Sequence, residues 1–164
     1  MKRYYLFIFL LLATVLSSYA QMPFGRHDTE TAPITWHANA RMTSDTAGTI
    51  TLTAEMADGW HLYGMTMPAD GPKPTRIKFD ITPDWSLDGA MTVDKAAKEK
   101  FDPMFNTTVE YWEGKIIFKQ HFKISSQNAK PNRIKCTISY MGCNDATCLP
   151  PAQKTLDIRV LPKK

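Results

Sequence analysis

Apolar and polar residues alternate along most of this chain. Ile34, Trp36, Ala38 and Ala40 alternate with polar or small neighbours, and Ile50, Leu52, Ala54 and Met56 alternate with Thr49, Thr51, Thr53 and Glu55. A period of two places such residues on one face of a strand. The Asp58-Gly59 turn leads into a short strand over residues 60–63, and a loop with Pro68, Gly71, Pro72 and Pro74 follows it. Ile77, Phe79 and Ile81 predict another strand, and Trp85, Leu87 and Met91 a weaker one. Residues 108–112, the Glu113-Gly114 turn and residues 115–124 read as a hairpin. Its second arm sets Ile116, Phe118, Phe122 and Ile124 against Lys115, Lys119, His121 and Lys123. Ile134, Cys136, Ile138 and Tyr140 share a face of the next strand, and Leu156, Ile158 and Val160 a face of the last. Only residues 92–99 carry a helical pattern, for a short turn. Eight or nine short strands with no helix long enough for a crossover predict one all-β domain, an antiparallel β-sandwich.

The first 20 residues stand apart from this pattern. Lys2 and Arg3 precede an apolar run over residues 4–16, and Ser18-Tyr19-Ala20 supplies a small-x-small cleavage pattern. That combination predicts an export signal over 1–20 cleaved after Ala20, with a flexible leader over 21–32 and a folded domain over 33–161. Without Lys2 and Arg3 the basic count falls from 20 to 18 against 16 acids, a formal charge of +2. So weak and dispersed a charge argues against nucleic acid or a membrane surface as partner. The 144 residues that remain of 164 suit one domain with its own core, a monomer that needs no disulfide scaffold.

Three cysteines in an exported chain make an odd number, so at least one thiol is left over. Cys143 and Cys148 flank Asn144-Asp145-Ala146-Thr147, residues that favour turns and can bring two Cα atoms to disulfide distance. A ring that small restrains the unfolded chain by only ~2 kcal/mol, against ~4.7 kcal/mol for a hundred-residue loop. Spacing alone leaves two readings open, a loop staple or a redox pair. Cys136 shares parity with Ile134 and Ile138, which points it into the core as a small apolar residue. No helix N-terminus adjoins the pair, and Asp145 opposes thiolate formation. His61, Met65 and Met67 offer donors that suit Cu(I), but the Pro-rich loop lacks further convergent ligands. No metal and no cofactor is expected.

Tyr140-Met-Gly-Cys143-Asn-Asp-Ala-Thr-Cys148-Leu-Pro-Pro151 resembles the redox loop of the amino-terminal domain of the thiol:disulfide interchange protein DsbD, the disulfide bond corrector family. Asp58-Gly-Trp-His-Leu-Tyr63 is similar to a second stretch of that family, and Asp102-Pro-Met-Phe-Asn106 with Tyr111 to its cap loop. The three segments run in the family's order.

The resemblance implies an immunoglobulin-like sandwich whose Cys143/Cys148 pair carries electrons by thiol–disulfide exchange in the periplasm. Cys148 matches the cysteine that forms the mixed disulfide. His61, Tyr63, Asn144 and Asp145 match the surroundings of the pair, and Met104 and Phe105 the cap, with Met104 where an aromatic is familiar. The implied acceptors are exported thioredoxin-fold proteins, isomerases or cytochrome-maturation factors. Because the sequence stops at Lys164, a separate membrane-embedded thiol reductase is the expected donor. The resemblance therefore predicts protein-disulfide reductase activity. The competing expectation is a β-sandwich module that binds a protein or glycan and carries a structural loop disulfide.

Overall fold

The computed structural model describes residues 32–125 and 131–163. The predicted export signal, and the leader up to residue 31, lie outside the described residues. Eleven strands form two sheets there. The larger runs in the order β4 (Arg76–Phe79), β9 (Arg133–Tyr140), β11 (Ala152–Leu161), β1 (Ile34–Met42), β2 (Ala47–Met56), β8 (Lys115–Ile124) and β5 (Trp85–Val93). The smaller runs β10 (Gly142–Cys143), β3 (His61–Tyr63), β7 (Thr107–Glu113) and β6 (Lys98–Asp102). Every pairing is antiparallel except that of β1 with β11, where Ala40 stands opposite Val160 in parallel register.

The alternation read from the sequence becomes the core. Along β2, Ile50, Leu52, Ala54 and Met56 are buried while the threonines between them stay half-exposed. Ile116, Phe118, Phe122 and Ile124 of β8 are buried on the same plan, and Leu62 and Trp112 bring the smaller sheet onto them. The Trp112 ring meets Phe118 edge-on at 5.4 Å, and Phe118 also packs on Trp36 at 5.8 Å. These contacts make one sandwich of the two sheets.

Four expectations change. Residues 108–124 are not a hairpin: β7 pairs with β3 and β6, and β8 with β2 and β5. Gly114 takes the left-handed backbone (φ 68°) between them, and the chain crosses from one sheet to the other there. Period two identifies a strand but not its neighbour.

Residues 92–99 form no helical turn, since Val93 ends β5 and Lys98 begins β6. Asp94 there exchanges hydrogen bonds with the Ile117 backbone at 2.8 and 3.0 Å. Eight residues nucleate a helix too poorly to compete with that pairing. Ile81 lies beyond β4 and is exposed. The strand expected to be weak at Trp85 is nine residues long, with a register shift between Asp88 and Thr92. Gln120, buried opposite the shift, donates to the freed carbonyls of Asp88 and Gly89.

Candidate functional site

The site lies at the β10–β3 edge of the smaller sheet. Cys143 pairs with His61 across β10 and β3, and Gly142 with Leu62. A side chain on Gly142 would collide with the Ile34 side chain of β1 and stand 3.0 Å from the His61 carbonyl. Glycine is therefore what lets β10 lie this close to the larger sheet. Beyond Cys143 the chain turns tightly. The Asn144 side-chain oxygen accepts from the Ala146 and Thr147 N–H groups at 2.9 and 2.8 Å, and the Asn144 N–H donates to the Thr147 carbonyl. Such an Asx turn brings Cys148 back opposite Cys143. The two cysteines are joined in a disulfide.

Exposure separates the two sulfurs' residues. Cys143 is buried at 1% relative exposure, whereas Cys148 is half-buried. Tyr63, fully buried on β3, holds its hydroxyl 2.7 Å from Asp102 Oδ2 and 3.0 Å from Cys143 Sγ. One proton serves two acceptors. The carboxylate is the stronger while the disulfide is closed, and a thiolate would compete once it opens. Burial first, then the Asp102 hydrogen bond, pushes the Tyr63 phenol well above its ordinary range, so it remains an O–H donor. Thr75, also fully buried, donates its hydroxyl to the Tyr63 carbonyl at 2.6 Å and fixes that strand.

The β6–β7 hairpin forms the second wall. Asp102-Pro103-Met104-Phe105 is a turn: the Phe105 N–H donates to the Asp102 carbonyl, and the Met104 N–H to Asp102 Oδ1 at 3.0 Å. Asn106 closes it with a left-handed backbone (φ 51°), which asparagine tolerates. The turn carries Met104 Sδ to 3.8 Å from Cys148 Sγ and sets the Phe105 ring edge-on to Tyr63 at 6.0 Å. Met104 itself is half exposed.

His61 packs its ring edge-on to Tyr63 and Tyr111, and its Nε2 is buried with no hydrogen-bond partner. Burial, and then the Lys100 charge, hold its pKa below the ordinary value.

The residues singled out in sequence thus divide. Cys143, Cys148, Tyr63, Met104 and Phe105 meet at the disulfide, and His61 flanks it. Asn144 builds the loop instead, and Asp145 points to solvent. Asp102 and Thr75 were missed. Asp102 opens the Asp102–Asn106 turn, and the charged Lys98-Glu99-Lys100 run before it gives no local signal that this acid is buried. Cys136 stays unpaired and fully buried, its thiol pushed up to about 12 by burial and then by Asp80. Among the described residues no group of three or more His, Cys, Asp or Glu gathers as a metal site.

Fold and site define an immunoglobulin-like β-sandwich that carries a half-accessible disulfide on one sheet edge. Residues 30–159 match the family described as Thiol:disulfide interchange protein DsbD, N-terminal, and the chain belongs to that family. Among curated proteins no relative matches. The fold is similar to the N-terminal periplasmic domain of ScsB from Proteus mirabilis, with TM-score 0.58 and 14% identity over 80% of this chain. The chain spans about half the length of that structure, 48%. It is also similar to the Neisseria meningitidis DsbD n-terminal domain in the reduced form, with TM-score 0.46 and 21% identity over 74% of this chain and 83% of that one. A third match is the complex between the DsbD N-terminal and PilB N-terminal domains from the same organism, with TM-score 0.47, 17% identity and coverage of 74% and 80%.

Proposed function

We propose that this domain is a periplasmic thiol–disulfide electron carrier, reduced by a membrane-embedded thiol reductase and oxidised by exported thioredoxin-fold proteins. The observation that carries the reading is the unequal exposure of a disulfide-bonded pair, with Cys143 buried against the Tyr63 hydroxyl and Cys148 open to a partner. In the reduced domain the Cys148 thiolate attacks one sulfur of a partner disulfide, forming a mixed disulfide and releasing the partner's other cysteine as thiolate. The Cys143 thiolate then attacks Cys148 Sγ, closes the intramolecular disulfide and frees the second partner thiol. Two electrons and two protons leave with the partner. The Tyr63 hydroxyl supports the Cys143 thiolate by donating to it, and Met104 and Phe105 limit access to the closed disulfide.

Trapping tests this directly. Cys143→Ser should accumulate a mixed disulfide through Cys148 with a thioredoxin-fold partner, and Cys148→Ser should form none. A redox titration against glutathione should open the pair in the native protein. A potential well below ~−300 mV, the range of structural bridges, would sink the carrier reading.

A further inference from the structure

Beyond limiting access to the closed disulfide, Met104 sets a soft thioether sulfur beside Cys148 Sγ. We propose that, once the disulfide is reduced, Cys143, Cys148 and Met104 form a three-sulfur binding site for Cu(I). The Cys148 Sγ to Met104 Sδ distance of 3.8 Å is the spacing of two sulfurs on one ion. With metal–sulfur bonds of ~2.3 Å, ligands of a trigonal or tetrahedral centre stand ~4 Å apart. Opening the S–S bond lets Cys143 Sγ move from bonding distance toward that same separation. Two thiolates and a thioether are the soft donor set that selects Cu(I) over harder ions.

The surroundings are built for a ligand set. The Met104 backbone is fixed through its N–H to Asp102 Oδ1 at 3.0 Å, in a turn that Asn106 closes, while its side chain is half exposed. Tyr63 supplies an outer-shell hydrogen bond to Cys143 Sγ at 3.0 Å. Met67, Met141 and Phe105 pack against the cluster of Tyr63, Val109 and Cys143, and the net charge of −1 left by two thiolates on Cu(I) sits beside the half-exposed Cys148, in reach of water. His61 adds an independent observation. Paired directly across from Cys143, it shares a sheet face with it, is 3% exposed, and leaves Nε2 without a partner. The half-exposed Cys148 and Met104 give the ion a way in.

The chemistry is a ligand exchange that follows reduction. A dithiol reductant first delivers two electrons to the disulfide, and Cu(I) then replaces the two thiol protons with no change of oxidation state. The disulfide form offers no thiolate, so binding is redox-gated. This inference rests on the pair being reducible, as the carrier reading requires.

The test is an anaerobic competition between the reduced protein and a chromophoric Cu(I) chelator, after the reductant is removed and thiols are counted by alkylation. The reduced protein should bind one Cu(I), and the oxidised protein none. Met104→Leu should weaken binding at least tenfold, and Met65→Leu, a change outside the cluster, should leave it within twofold. X-ray absorption at the copper edge should count three sulfurs in the wild type and two in Met104→Leu. Equal affinity and equal sulfur counts in those two proteins would overturn the site, as would displacement of Cu(I) by one equivalent of Zn2+. If reduction frees the thiols but no Cu(I) binds, the metal site alone fails. A pair that does not open on reduction ends the carrier reading as well.

Discussion

At the residue scale, Tyr63 gathers the polar connections of the site onto one hydroxyl. Tyr63→Phe keeps the ring against His61 and Phe105 but leaves the buried Asp102 Oδ2 without its 2.7 Å donor. Loss of a hydrogen bond to a buried carboxylate costs about 2 kcal/mol, so urea unfolding of the oxidised variant should show a loss of that size. His61 makes a pH prediction. Its folded pKa lies below the ordinary value of 6.5, against the pull of Asp102, Glu113 and Asp145. As pH falls below 6.5 the unfolded chain binds a proton that folded His61 refuses, so stability drops with falling pH and is level above it. Between about pH 7.5 and about pH 5.5 the urea midpoint of the wild type should therefore fall further than that of His61→Phe. Equal falls in the two proteins would refute the assignment. Tyr63 and the cysteines were legible because the family resemblance matches each of them to the redox pair or its surroundings, a role it did not give Asp102. Asp102 was not, because burial of an acid beside Lys100 arises only when the hairpin folds under Tyr63.

At the element scale, two tight turns bring the chemistry together: Asp102 to Asn106 between β6 and β7, and Asn144 to Thr147 after β10. Both use a side-chain oxygen to receive backbone N–H groups, which fixes them without help from a core. Gly142 links the second turn to the fold. Gly142→Ala sets a methyl against the Ile34 side chain and the His61 backbone, and backbone cannot yield. We expect about 1–3 kcal/mol of destabilisation in chemical denaturation. Faster alkylation of Cys148 in the reduced variant should accompany it as β10 lifts. The second turn was readable from its Asn144-to-Thr147 composition, and the first only from its resemblance to a family loop. That they face one another was not, since 37 residues separate Cys143 from Asn106 and only sheet order joins them.

At the scale of the whole molecule, the disulfide is a passenger on a core that forms without it. Among the described residues, 20 buried ones in the main cluster hold the sandwich, and the ring closed by Cys143 and Cys148 spans a separation of only 5. Replacing both cysteines by alanine should cost no more than ~2 kcal/mol and leave a cooperatively folded domain by circular dichroism. In the reduced wild type, Cys136 should react with an alkylating reagent only after denaturation, its thiol being fully buried and pushed up to about 12.

The sequence by itself determined most of the strands and the faces they bury, though not β6 or β10, and the pair of cysteines in a turn, because period-two patterning and turn chemistry act over a few neighbouring residues. It even oriented Cys136 inward by parity with Ile134. Tertiary structure alone decided the rest: that β7 and β8 part into different sheets, that Cys143 is buried while Cys148 is half-exposed, and that Asp102 holds the Tyr63 hydroxyl beside Cys143 Sγ. Those outcomes depend on which strands become neighbours. Neighbour choice is set by the summed packing of distant faces, for which local alternation carries no signal.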